Sequence, residues 1–110
     1  MPEFFTKIVG VTFKNNDGSD RQTIIEALED QLLENEHVSL ILKRDPQNPY
    51  DHNAIIVQDG QHRQIGFLSR DVSFTLAPMM DNGIVIECFL QQITGQSLAH
   101  NFGINIKIVY

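Results

Sequence analysis

The sequence predicts a small, mainly β (α+β) fold, closed into a barrel of about six strands with two helices. Three observations carry this expectation. Short runs rich in β-branched and aromatic residues recur along the chain, and some alternate apolar with polar. Two other stretches place apolar residues four apart, the period of a helix. Strand and helix do not alternate in the way a doubly wound parallel sheet requires. The 110 residues are read as one domain, 1–110, large enough for a core without metal or disulfide staples.

The elements follow in order. Phe4 to Phe13 (FFTKIVGVTF) reads as the first strand, and Lys14 to Ser19 (KNNDGS) as a turn. Ser19 or Asp20 then caps a helix over about 21–34. Gln22 stands three after Ser19, a capping-box spacing, while Ile24, Leu28 and Leu32 recur every four residues beside Ile25. His37 to Lys43 is a second strand, followed by a polar loop from Arg44 to Asn53. Ala54 to Gln58 and Gln64 to Leu68 are expected to form a hairpin around the Asp59-Gly60 turn signal. Ser69 can cap a second helix carrying Val72, Leu76 and Met80, which Pro78 should kink or split and Asn82-Gly83 should stop. Ile84 to Thr94 and Phe102 to Tyr110 complete the strands, joined by a loop over 94–101.

The formal net charge of −6 disfavours a large polyanion footprint. The acids are concentrated, however. Residues 20 to 36 hold six acids against Arg21 alone, and the remainder holds seven bases and eight acids. A small basic site is therefore compatible with the composition. A single cysteine, Cys88, excludes an internal disulfide and a multi-cysteine zinc cluster, and favours a reducing, cytoplasmic setting. No apolar run approaches the length of a membrane span, and no signal peptide is read at the N-terminus.

Phosphate-binding glycine loops, zinc-protease helices and nucleophile elbows are absent, so no catalytic residue is assigned. Cys88 lies in an apolar strand and reads as an inert buried thiol. His37, His52, His62 and His100 read as surface side chains, because their spacing matches no common metal pattern. No metal and no cofactor is expected.

The dense segment is Arg44-Asp45-Pro46-Gln47-Asn48-Pro49-Tyr50-Asp51-His52-Asn53. Its two prolines and its Asn and Asp side chains can lock a rigid turn. The same rigidity would present Tyr50 as a stacking face and Asp51 as a hydrogen-bond acceptor. A carboxylate suits a hydroxyl and repels a phosphate. The pair therefore fits a nucleic-acid end with a free hydroxyl better than a continuous strand.

Asn48-Pro49-Tyr50-Asp51, Asn53-Ala54-Ile55 and Ile65-Gly66-Phe67-Leu68 together resemble the HIRAN domain, and Ile8 to Phe13 looks like that family's first strand. The resemblance covers about Phe5 to Ile108 and is similar to the stand-alone, bacterial-type members. It implies an OB-like barrel. It also implies a non-enzymatic module that binds single-stranded DNA at a free 3′ end. Relatives are fused to DNA-remodelling ATPases, which implies a role in DNA repair. A nuclease, helicase or other DNA-processing protein is the implied partner, with no membrane.

By position, Tyr50 and Asp51 would surround the terminal nucleotide, with Asp51 on the 3′-hydroxyl. Asn48 would contact the ligand or shape the loop. Phe13, Phe67 and Phe102 would stack on bases or belong to the barrel core, and Arg70 would meet a phosphate. Thr12 stands where the DNA-binding branch has a basic residue, and Phe67 where it has a polar one. Both departures weaken phosphate binding. They keep open an alternative, a protein-interaction or regulatory module with a weakened DNA pocket. A concave patch joining Arg44, Arg70 and Lys14 would favour DNA, and a neutral apolar patch a protein.

Overall fold

Along the final strand Ile104, Ile106 and Ile108 are buried while Asn105 and Lys107 face outward, the alternation of a sheet with one side on a core. The same rule shapes the other strands of a computed structural model that describes residues 2–35, 37–95 and 101–110. The order is β1 (Glu3–Val9), α1 (Arg21–Glu34), β2 (Ser39–Arg44), β3 (Ile55–Gln58), β4 (Gln64–Leu68), α2 (Arg70–Asp81), β5 (Glu87–Thr94) and β6 (Gly103–Val109). The strands close as β1-β4-β3-β2-β5-β6, and every neighbouring pair is antiparallel. Closure removes the exposed edges that an open sheet would leave.

Strand β1 makes the closure by changing partner along its length. Glu3 to Lys7 pair with β6, and Ile8 and Val9 pair with β4. Ile8, Ile55, Val57, Ile65, Leu68, Leu90, Ile104, Ile106 and Ile108 fill the interior. Helix α1 packs against both β4 and β5, which lie on opposite sides of the strand order, so it lies across one end of the barrel. It contributes Ile24, Ile25 and Leu28 to the core, as its four-residue period requires.

Several boundaries differ from the pattern-based expectation. The first strand ends at Val9 rather than Phe13, because Gly10 takes φ +71° and turns the chain. His37 precedes β2, and Ile84 to Ile86 precede β5. Asp20 caps α1 by accepting from the Gln22 N–H at 2.9 Å. The Gln22 side chain closes no capping box. It donates to the carbonyls of Val11 and Phe102 and accepts the Phe102 N–H, pinning the approach to β6 onto the turn after β1. Pro78 does not split α2, which runs unbroken from Arg70 to Asp81. Pro78 lies in the last two turns, and the carbonyl it leaves without a donor belongs to Phe74, on the solvent-facing side of the helix. The stop is at the expected place. Gly83 at φ +83° lets its own N–H reach Met80 and the Ile84 N–H reach Met79, satisfying the last carbonyls.

His37, His52 and His62 are exposed, and His100 lies outside the described residues. Cys88 is 2% exposed between β2 and β6, and burial pushes its thiol pKa up to about 12. At pH 8 the folded chain is therefore expected to resist iodoacetamide and to react only as it unfolds. Alkylation by excess reagent at the rate of a free thiol would contradict this packing.

Candidate functional site

The loop between β2 and β3 is built to hold its shape. The Asn48 carboxamide oxygen accepts the N–H groups of Tyr50 and Asp51 at 2.9 and 3.2 Å, and its nitrogen donates to Asp45. Asp51 Oδ1 accepts the Asn53 N–H at 2.9 Å, and the Asp45 N–H closes the neck onto the Ala54 carbonyl. Arg44 clamps the outside, donating to the carbonyls of Ala54 and His52 and pairing with Asp81 of α2 at 2.9 Å. Through these local bonds the oxygen and one N–H of Asn48 shape the loop, and the residue also lines the pocket beneath it.

Two groups remain available for a ligand. The Tyr50 side chain projects into solvent at 85% exposure. Asp51 Oδ2 lies 3.9 Å from Arg70 Nε, and Arg70 also donates to the Tyr50 carbonyl at 2.9 Å. A carboxylate and a guanidinium thus stand side by side at the lip, both tied to the same loop.

Beneath the lip is a pocket of about 320 Å³ lined by Val9, Gly10, Phe13, Asn48, Tyr50, Asp51, Ala54, Phe67, Leu68 and Arg70. Its floor is the β1–β4 seam, where Val9 faces Phe67. Phe13, 66% exposed, stands on the turn after β1. The walls are mostly apolar, and the open polar atoms converge at one edge. That is the usual composition of a small-molecule or nucleotide site.

Arg21, the first residue of α1, lies behind this floor. It is 7% exposed, donates to Gly10 O at 2.7 Å and to Asn15 Oδ1 at 2.8 Å, and stacks 5.5 Å from the centre of the Phe67 ring. Among the described ion pairs it has no carboxylate partner. Burial lowers its pKa, yet a guanidinium starts so high that it stays charged. The pocket therefore has a fixed positive charge under an aromatic floor.

Six of the seven residues singled out from the sequence line this one pocket: Phe13, Asn48, Tyr50, Asp51, Phe67 and Arg70. The seventh, Phe102, does not; it is half-buried against the core, its backbone held by Gln22. Core packing does not describe Phe13, which is in solvent, and only partly describes Phe67. The patch of Arg44, Arg70 and Lys14 does not form either. The Arg44 guanidinium is consumed by its clamp, and Lys14 sits on an isolated bridge to Asp20 away from the lining.

Sequence reasoning missed Val9, Gly10, Ala54 and Leu68 as walls, and Arg21 as the charge behind them. The signals were present: a glycine inside a strand pattern marks a break, and Arg21 is the lone base in an acidic segment. None of the acids between Glu26 and Glu34 lines the pocket.

Comparison with known proteins agrees with this architecture. The family model of the HIRAN domain matches residues 2–109. The helicase-like transcription factors of Homo sapiens and Oryctolagus cuniculus are 44% and 42% identical over 48 residues, 44% of this chain and 5% of theirs. The chain thus matches only a small part of those proteins. The crystal structure of the HIRAN domain of human HLTF superposes with a TM-score of 0.63 at 25% identity, covering 96% of this chain and 74% of that one. A Lactobacillus plantarum protein shares the fold, with a TM-score of 0.57 at 19% identity over 99% of this chain and all of the other.

Proposed function

The chain belongs to the HIRAN domain family, and on that premise we propose that it is a non-catalytic DNA-binding module that takes the 3′-hydroxyl end of a single strand. The observation that carries this reading is the lip: an anchored carboxylate with one free oxygen, beside an exposed tyrosine and an arginine, over an apolar pocket. Bases and sugars offer flat, partly apolar faces to Tyr50, Phe13 and Phe67. The terminal hydroxyl donates to Asp51 Oδ2. The phosphate before it meets Arg70, with Arg21 adding attraction from below. Circular strands and 3′-phosphates lack the donor and bring charge against the carboxylate.

The ionisable side chains lining the pocket are Tyr50, Asp51 and Arg70, which include no nucleophile with an adjacent base. This supports binding rather than turnover. The helicase-like relatives favour a DNA-processing protein as partner. The apolar walls and the net charge of −6 also fit a second reading, a protein-docking module.

Titration of labelled single strands at low salt separates the two. A 3′-hydroxyl strand should bind more tightly than its 3′-phosphate counterpart, and a circular strand least. Equal binding of all three would remove end recognition. Absence of binding to any of them would transfer the pocket to the protein-docking reading.

A further inference from the structure

We infer that the outer face of β1, β6 and β5 forms a second contact surface for single-stranded DNA, which carries the strand 5′ of the end held in the pocket. This rests on the end-binding reading. It adds a path of the strand beyond the terminal nucleotides.

Alternation along β1 sends Phe5, Lys7 and Val9 outward, while Ile8 faces the core. Val9 lines the end pocket, so the outer side of β1 leads directly out of it. The four residue steps from Val9 to Phe5 span about 13 Å, room for roughly two to four nucleotides.

Cross-strand pairing widens this line into a track. Lys7 is opposite Asn105, and Asn105 is opposite Gln92. In the next outward row, Lys107 stands between Phe5 and Phe89, its Nζ 5.5 Å from the Phe89 ring centre. A groove of about 400 Å³ runs beside Phe5, Lys7, Gln92 and Asn105.

The chemistry favours a polynucleotide. Phe5 is 61% exposed, a ring free to stack on a base. Among the described ion pairs neither Lys7 nor Lys107 has a carboxylate partner. Their charge is available to phosphates spaced along a strand. Asn105 Nδ2 donates to Gln92 Oε1 at 3.2 Å, which leaves the Gln92 amide nitrogen to offer hydrogen bonds between them. Glu3 and Glu87 both face Val109 one row farther from the pocket and close the track with negative charge. The favourable surface is thus short and ends within a few nucleotides. The alternative exit, over α2, has no cation beyond Arg70, which the end pocket already uses.

The test is length dependence. Single strands sharing one 3′-terminal dinucleotide, two, four, six and ten nucleotides long, are titrated against the unaltered chain. Affinity should rise about tenfold from two to six nucleotides and then level. Lys7→Gln and Phe5→Ala, both at exposed positions, should each remove a large part of that rise without changing dinucleotide binding. Lys7→Gln with Lys107→Gln should lower the slope of log affinity against log salt by about 1.4 for the six-nucleotide strand. A dinucleotide that binds as tightly as ten nucleotides overturns the track and leaves the end pocket standing, as does a rise that survives both single variants. Failure of every length to bind overturns both.

Discussion

Replacing Asp51 with Asn is expected to lower affinity for a 3′-hydroxyl strand about tenfold to a hundredfold and to abolish most of the preference over a 3′-phosphate. The loss corresponds to one charge-assisted hydrogen bond, about 1.5–3 kcal/mol. The substitution suits the geometry. Asp51 Oδ1 is occupied by the Asn53 N–H, a bond that an asparagine oxygen can also accept, so the loop keeps its shape. What changes is Oδ2, the oxygen that faces Arg70 at 3.9 Å. Removing its charge removes both the attraction for a hydroxyl proton and the repulsion of a phosphate.

Arg70 does not cancel that repulsion in the parent protein. Its side chain is 73% exposed against 21% for Asp51, so its field is more heavily screened by water. Anisotropy titrations of Asp51→Asn with both kinds of end, alongside a melting curve, give the answer. An unchanged ratio of hydroxyl to phosphate affinity in a fully folded variant would refute the role of Asp51. Arg70→Ala separates charge from end chemistry: it should weaken hydroxyl-ended and circular strands alike and flatten the salt dependence.

How far these residues could be read beforehand follows from the range of the signal. Strand and helix patterns are local, and β4 and α1 lie where the Asp59-Gly60 turn signal and the four-residue period place them. The loop from Asp45 to Asn53 was legible for the same reason, since Asn48 and Asp51 bond within three residues of themselves. Whether Phe102 would reach the pocket or the core was not legible, because its position depends on Gln22, eighty residues earlier in the chain. Arg21 escaped notice because its value lies in what the barrel brings to it: Gly10 from one turn and Phe67 from another strand. Local chemistry specified the lip, and closure of the barrel supplied the floor.

The residue at which closure and pocket meet is Gly66, and Gly66→Ala is expected to produce the largest loss of stability. A Cβ there would lie 2.5 Å from Val9 O and 2.5 Å from Ile8 Cγ2. Ile8 is buried and β-branched, with little freedom to turn aside, and the carbonyl oxygen is backbone and cannot rotate away. Strand β1 must therefore move off β4. That pairing rests on two register partners, Ile8 with Leu68 and Val9 with Phe67, so it yields before the longer β1–β6 ladder does. The expected cost is about 3 kcal/mol, the upper part of the range for overpacked cores, or a fall in melting temperature of about 12 °C or more. Gly60→Ala is the matched control: no atom lies within 4 Å of a Cβ there, and its melting temperature should stay within about 2 °C of the parent. Because Val9 and Phe67 are also the pocket floor, Gly66→Ala should lose strand binding at temperatures where it is still folded. A Gly66→Ala protein that melts with the parent and binds like it would show that the seam tolerates a methyl group, and that the glycine of Ile65-Gly66-Phe67-Leu68 is not required for close approach.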